Sequence, residues 1–308
     1  MHSRSRRNLV LGTALAPLAG LALGAEISSS NTPLQVVYPR LLERPAHAFG
    51  FQVLGLALQR SGQPYQLRLG DELVSGKAAV QLLQSGQINV LDNGSAGRSE
   101  EAVSVVPVPI DFGLSGCRML LGKRDVLKRL RKVRRLEELL PLVFGQGIDW
   151  TDSRILRNAG LRVEEGEFRN LLRMLQGGRF DLVPLGSDEA DDILGSQRAS
   201  APDVTLDSSV GLFYPYPRVF YVPRGSTELH AALTRGLKLA HEDGSLLELL
   251  KRAPGIGPIL TGKRALPKTL IAMPNPWLPA GLHDLSAEHF HPALRTALRS
   301  VWPNKTQG

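Results

Sequence analysis

The stretches "LQSGQINVLDNGSAGR" (Leu83–Arg98) and "LQGGRFDLVPLGSDEADD" (Leu175–Asp192) are one device written twice, and that duplication decides the fold. In each, an amphipathic run ends at a glycine and a short apolar stretch begins within two residues. Gly86 and Gly178 can close a helix by taking the left-handed conformation that a Cβ opposes. Each apolar stretch then runs into a polar, glycine-bearing loop, Asp92–Arg98 in the first copy and Gly186–Asp192 in the second. Two similar lobes follow, each carrying a loop after a strand.

Working outward, the alternating "LQVVYPR" after the polar linker "ISSSNTP" predicts a strand that Pro39 ends. Phe51, Leu54 and Leu58 then mark a helix stopping at Ser61-Gly62, and Tyr65, Leu67 and Leu69 mark a second strand. This alternation predicts an α/β class with mainly parallel sheets flanked by helices, in which ligands bind outside the carboxyl ends of strands. The apolar runs "CRMLLGK" (Cys117–Lys123) and "RVFYVPR" (Arg218–Arg224) carry the chain across and back. That places lobe 1 at 26–116 plus 223–308 and lobe 2 at 117–222, with a hinge near Gly116–Gly122 and Arg218–Arg224. A closing helix is expected around Leu229–Arg252, and the proline-rich remainder reads as a wrapping tail with a short helix near Ala293–Val301.

Over 308 residues the hydrophobic share is 43% and the charged share 21%, which excludes disordered and fibrous classes. Residues 1–25 combine a basic start, an apolar run and small residues, the pattern of a cleaved export signal; Ser5-Arg6-Arg7 resembles its twin-arginine form. Its removal takes three arginines and no acid, lowering the net charge from +8 to +5 and predicting a periplasmic location. The basic run "GKRDVLKRLRKVRRLEELL" (Gly122–Leu140) predicts a helix with a solvated cationic face, apolar at Val126, Leu127, Leu130, Val133 and Leu136, so no nucleic-acid partner is expected. Cys117 stands alone and rules out an internal disulfide. His283, Glu288, His289 and His291 match no metal-ligand spacing, and "GPILTGKR" lacks the Ser or Thr of a phosphate loop. No metal and no cofactor is expected.

The order and spacing of these segments resemble the type II periplasmic solute-binding proteins, in the branch related to polar amino-acid receptors of ABC transporters. The resemblance covers roughly Leu34–Arg252 and rests on "LQSGQINVLDNGSAGR", "FGQGIDWTDSRILRNAGLRV", "MLQGGRFDLVPLG" and "YPRVFYVPRGSTELHAALTRGLKLAHEDGS". It implies a two-lobed clamp that closes on a small carboxylated or amino-acid-like solute and hands it to a membrane permease, expected as a monomer. Arg98 matches the family's carboxylate-gripping arginine, a planar fork suited to that group. Asp92 and Ser95 lie in the same loop.

In the second lobe, Gln146, Trp150, Thr151 and Ser153 stand at a helix start whose free N–H groups favour an anion. Asp149 and Asp152 offer instead to cap that helix. The family's ammonium-binding aspartate falls here on Gly186, leaving Asp188 or Glu189 as substitutes. Tyr38, Trp150, Tyr214 and Tyr216 are candidate aromatic walls. An exported dehydratase on the same scaffold, which would need a carboxylate of raised pKa, and a ligand-sensing partner of a membrane receptor are the competing functions.

Overall fold

A computed structural model describes residues 32–41, 48–94 and 102–302. The first strand, β1 (Leu34–Leu41), pairs parallel to β2 (Tyr65–Val74) across helix α1 (Ala48–Ser61). Pro39 does not end β1. It falls where the register jumps from Tyr38↔Leu69 to Arg40↔Leu73, a bulge in which the missing proline N–H is tolerated. Helix α2 (Gly76–Gln84) starts on Ser75, whose hydroxyl accepts from the Ala78 N–H, and stops at Gly86 with φ 75°.

The strand after that stop starts three residues later than the apolar pattern implies. The Asn89 side chain accepts from the Val37 N–H and donates to the Gln35 carbonyl, taking the place of ladder bonds along β1. The ladder proper is β3 (Leu91–Asn93), and β4 (Val103–Val105) follows.

The six-stranded sheet begins with β5 (Cys117–Lys123), which α3 (Arg124–Leu130) follows. The basic run is thus not one helix. After Leu130 the chain turns, and the Glu138 carboxylate accepts from the Arg134 and Arg135 N–H groups to open a short 3-10 turn at Leu136–Leu139. Strand β6 (Val143–Gly147), helix α4 (Thr151–Asn158), β7 (Arg162–Gly166), α5 (Leu171–Gln176), β8 (Leu182–Gly186), α6 (Ala190–Ser196) and β9 (Val204–Phe213) complete the set. Gly178, at φ 79°, makes the same stop after α5 that Gly86 makes after α2.

The chain returns through β10 (Val219–Pro223), antiparallel to both β3 and β4, and into α7 (Thr227–Glu242), α8 (Ser245–Leu250) and α9 (Gly257–Leu260). Strand β11 (Thr269–Ala272) and α10 (Arg295–Val301) follow. The proline-rich tail therefore does more than wrap lobe 1: β11 extends the second lobe's six-stranded sheet, of order β11-β9-β5-β8-β6-β7, by pairing parallel to β9. Separate cores form on the two sides, one around Leu54, Phe220 and Leu233 and another around Phe144, Leu156 and Leu212.

The passages between lobes shift by a few residues from their expected places. Cys117–Lys123 lies wholly inside the six-stranded sheet and Val219–Pro223 wholly inside the three-stranded one, so the chain crosses at 106–116 and 214–218. The two passages touch: the Tyr214 N–H donates to the Gly116 carbonyl at 3.2 Å, and a Cβ on Gly116 would collide with the Tyr214 carbonyl. The tail pins the first passage, because the His291 N–H donates to the Phe112 carbonyl at 2.8 Å and Phe290 covers Gly113.

Candidate functional site

An arginine stands at the end of each passage, Arg118 just after the first and Arg218 closing the second, and each is buried against carboxylates. Arg118, the second residue of β5, reaches Asp152 on the first turn of α4 with Nη2 to Oδ1 at 2.6 Å. Its guanidinium lies 5.0 Å from the Tyr214 ring centre and 5.1 Å from that of Tyr216, so two aromatic faces and one carboxylate hold it. Burial works to lower the Arg118 pKa, but Asp152 outweighs it and keeps the group charged. The Tyr214 hydroxyl also donates to Asp152, and burial pushes that phenol well above its ordinary range.

Arg218, the last residue before β10, donates from Nε to the Asp92 carboxylate on β3 and has Nη1 3.9 Å from Asp188 Oδ2, just past β8. Tyr38 donates its hydroxyl to the other Asp92 oxygen, and the Ser115 hydroxyl donates to Asp188 at 3.2 Å. Again burial would lower the arginine's pKa and the carboxylates hold it above its usual value. Two guanidiniums thus face three carboxylates, all at 6% exposure or less. Such pairs cost desolvation to assemble, and removing one partner strands a buried charge.

The two clusters meet at Gly186. A Cβ placed there would strike the Asp188 carboxylate and stand 3.5 Å from Arg118 Nη1. The Asp188 side chain, two positions on, fills the space into which a side chain at 186 would project.

Of the residues singled out from sequence, Tyr38, Asp92 and Asp188 come together around Arg218. Gln146 is fully buried on β6 and donates to the Pro184 carbonyl at 3.3 Å, and Ser153 is buried on α4 beside Asp152. Thr151, half-buried, opens α4. Trp150 precedes it, packing on Phe168 at 5.8 Å between ring centres and covering Gly147. Ser95 and Arg98 lie outside the described residues. Neither aspartate caps α4, whose N-cap is Trp150 with no side-chain bond: Asp152 faces Arg118, while exposed Asp149 takes φ 65° and reaches Lys77 on α2 at 3.3 Å. Tyr214 and Tyr216 hold Arg118 instead of forming an open wall.

Arg118, Arg218, Asp152 and Ser115 were not among the candidates. The arginines had a legible signal, a lone cation inside "GCRML" and "YPRVF", since a charge in a buried apolar run requires a partner.

Asp111 stands behind the cluster. Fully buried, it accepts from the Gly113, Ser115 and Arg218 N–H groups at 2.9, 2.9 and 3.2 Å. Burial nevertheless raises its pKa to about 6. For a carboxyl raised in the folded state, the stabilising contribution is full below the unfolded value of 3.8 and is lost as pH rises through about 6. Denaturant melts of wild type and Asp111→Asn should therefore differ by an amount that shifts in favour of wild type, by about 2 kcal/mol, between pH 7 and pH 4. A pH-independent difference would assign the carboxyl an ordinary pKa.

Several buried polar atoms in these clusters have no hydrogen-bond partner among the described residues: Arg118 Nε, Gln146 Oε1, Ser153 Oγ and Asp188 Oδ1. Native interiors hold few such atoms, and a group of them gathered around β5, β6 and β8 calls for a polar partner. The described residues contain no helix long and apolar enough to cross a membrane.

No family model and no curated protein matches the chain. Solved structures do. The substrate-binding protein of an amino acid ABC transporter is 13% identical, with a TM-score of 0.50 over 71% of this chain and 98% of that one. An ancestral arginine-binding protein bound to arginine is 18% identical, with a TM-score of 0.50 over 71% and 97%. A histidine kinase sensor domain with similarity to periplasmic binding proteins is 16% identical, with a TM-score of 0.51 over 73% and 96%. At such identities the likeness is one of fold: this chain has the two-lobed α/β fold of the periplasmic binding proteins.

Proposed function

We propose that this two-lobed chain is an exported solute-binding protein that captures a small anionic or amino-acid-like solute between its lobes for an ABC-type membrane permease. The observation that carries the reading is the set of buried, unpartnered polar atoms around Arg118, Gln146, Ser153 and Asp188. They combine a cationic donor, a hydroxyl, an amide oxygen and a carboxylate oxygen, which suits a solute bearing both a carboxylate and hydrogen-bonding or ammonium groups. Arg98, which follows β3 in sequence, is assigned to the solute carboxylate, together with Thr151 and Ser153 at the start of α4. The bodies that close are residues 33–105 with most of 219–302, and residues 117–213, joined by the two passages between them. Two of the similar structures, the substrate-binding protein of an amino acid ABC transporter and the arginine-binding protein, support this class of cargo, and the histidine kinase sensor domain supports ligand sensing as the alternative use of the fold.

The dehydratase alternative needs a raised carboxyl facing the solute. Asp111 is raised, but its oxygens are engaged by backbone N–H groups of its own turn and of Arg218, which is a structural role.

Calorimetric titration with the solute tests the assignment. Arg98→Ala and Ser153→Val should each weaken binding at least ten-fold, equivalent to about 1.4 kcal/mol, with the fold retained. Unchanged affinity in both would remove this site from the function.

A further inference from the structure

We propose that Arg218 is a resident occupant of a cation-holding box between the lobes, and that by filling this box it excludes cationic groups of solutes from that half of the cleft. The box consists of Asp92 and Tyr38 from lobe 1, Phe49 from α1, and Asp188 from lobe 2. The Arg218 Nε bonds the Asp92 carboxylate, Nη1 stands 3.9 Å from Asp188 Oδ2, and the guanidinium carbon lies 5.5 Å from the Phe49 ring centre. Tyr38 orients Asp92 and Ser115 orients Asp188.

Two carboxylates beside an aromatic face are the recognition chemistry of a guanidinium or alkylammonium group. Here the group that meets them comes from the chain itself. Its backbone is held in place too, because the Arg218 N–H donates to Asp111 and Val219 enters the β10 ladder. A tethered group at high effective concentration outcompetes a free cation of the same chemistry. The unpartnered atoms that remain for a solute are Arg118 Nε and Ser153 Oγ, which as donors match a carboxylate, with Gln146 Oε1 beside them and the second Asp188 oxygen, Oδ1, at the edge of the box. This consequence for solute choice rests on the clamp reading; the occupancy of the box does not.

The experiment uses the full chain. Arg218→Ala removes Cγ, Cδ and the guanidinium, the atoms of ethylguanidine. Thermal melts and calorimetry would be run on wild type and variant with ethylguanidine, ethylamine and urea at low millimolar concentration. The expected result is one-to-one binding of ethylguanidine to the variant and a rise in its Tm, with a smaller response to ethylamine, none to urea, and none from wild type. Equal responses from wild type and variant, or no binding of ethylguanidine by the folded variant, would overturn the proposal.

Because the variant strands two buried carboxylates, a wild-type measurement stands beside it. With ¹⁵N-labelled arginine, the Arg218 Nε–H signal should exchange slowly with water and should lose that protection in Asp92→Asn; fast exchange in wild type contradicts the box. A chain that captures no solute can still show the ethylguanidine rescue, and a failed rescue leaves capture at the Arg118 side standing, so the two ideas fail separately.

Discussion

Arg118→Ala is expected to destabilise the protein by about 3–5 kcal/mol, because Asp152 then remains charged and buried with Tyr214 as its remaining partner. The loss is much larger than a surface ion pair would give, which is typically below about 1 kcal/mol. The same physics predicts a non-additive rescue. In Arg118→Met/Asp152→Leu both charges are gone, the arginine stem is replaced by an apolar chain between Tyr214 and Tyr216, and what remains is an unmatched tyrosine hydroxyl. The double variant should be more stable than either single variant and within about 2 kcal/mol of wild type. Urea melts of the four proteins measure this cycle. Single variants that each cost under about 1 kcal/mol would mean that the Arg118–Asp152 pair is solvated.

Gly236→Ala is the second large effect, and its sign is the informative part. In the middle of α7 the exchange would ordinarily gain about 1 kcal/mol, because glycine is a poor helix former. Here a Cβ on Gly236 would run into the backbone carbonyl of Ala57, where α7 crosses α1 at the centre of the lobe 1 core. Backbone cannot rotate out of the way as a flexible side chain can, so the helices must separate, exposing the interface around Leu58, Leu233 and Leu237. A net loss of about 3 kcal/mol is expected in the same melts. A gain would mean that α1 and α7 lie farther apart than described.

The parts of this architecture that were legible in the sequence are those enforced locally. Gly86 and Gly178 had to close helices because their positive φ is set within one turn, and the duplicated pattern around them exposed two lobes. Strand β11 was hidden because "TLIA" is short, lies within a proline-rich tail, and gains its place only by pairing with β9. Pro39 misled because its effect depends on the register of β2, which no local pattern encodes.

The site divides along the same line. Asp92, Gln146, Ser153 and Asp188, proposed as site residues, stood out because loops and helix starts after strands advertise themselves. The arginines that neutralise those acids were not, since Arg218 meets Asp92 across 126 residues of chain. Arg118 and Arg218 also sit in runs whose hydrophobicity spoke for strands.

The central claim is that the cleft between the lobes takes a small solute and releases it unaltered. A thermal-shift screen of the full chain against amino acids, di- and tricarboxylates, small peptides and aromatic acids, with each solute recovered and weighed by mass spectrometry, tests it most directly. At 100 times its dissociation constant, a solute should stabilise the fold by about 2.7 kcal/mol. The account predicts that solutes bearing a carboxylate raise the Tm, that basic ones without a carboxylate do not, and that every hit comes back chemically intact. A hit recovered as a different molecule, or stabilisation by cations alone, would contradict it.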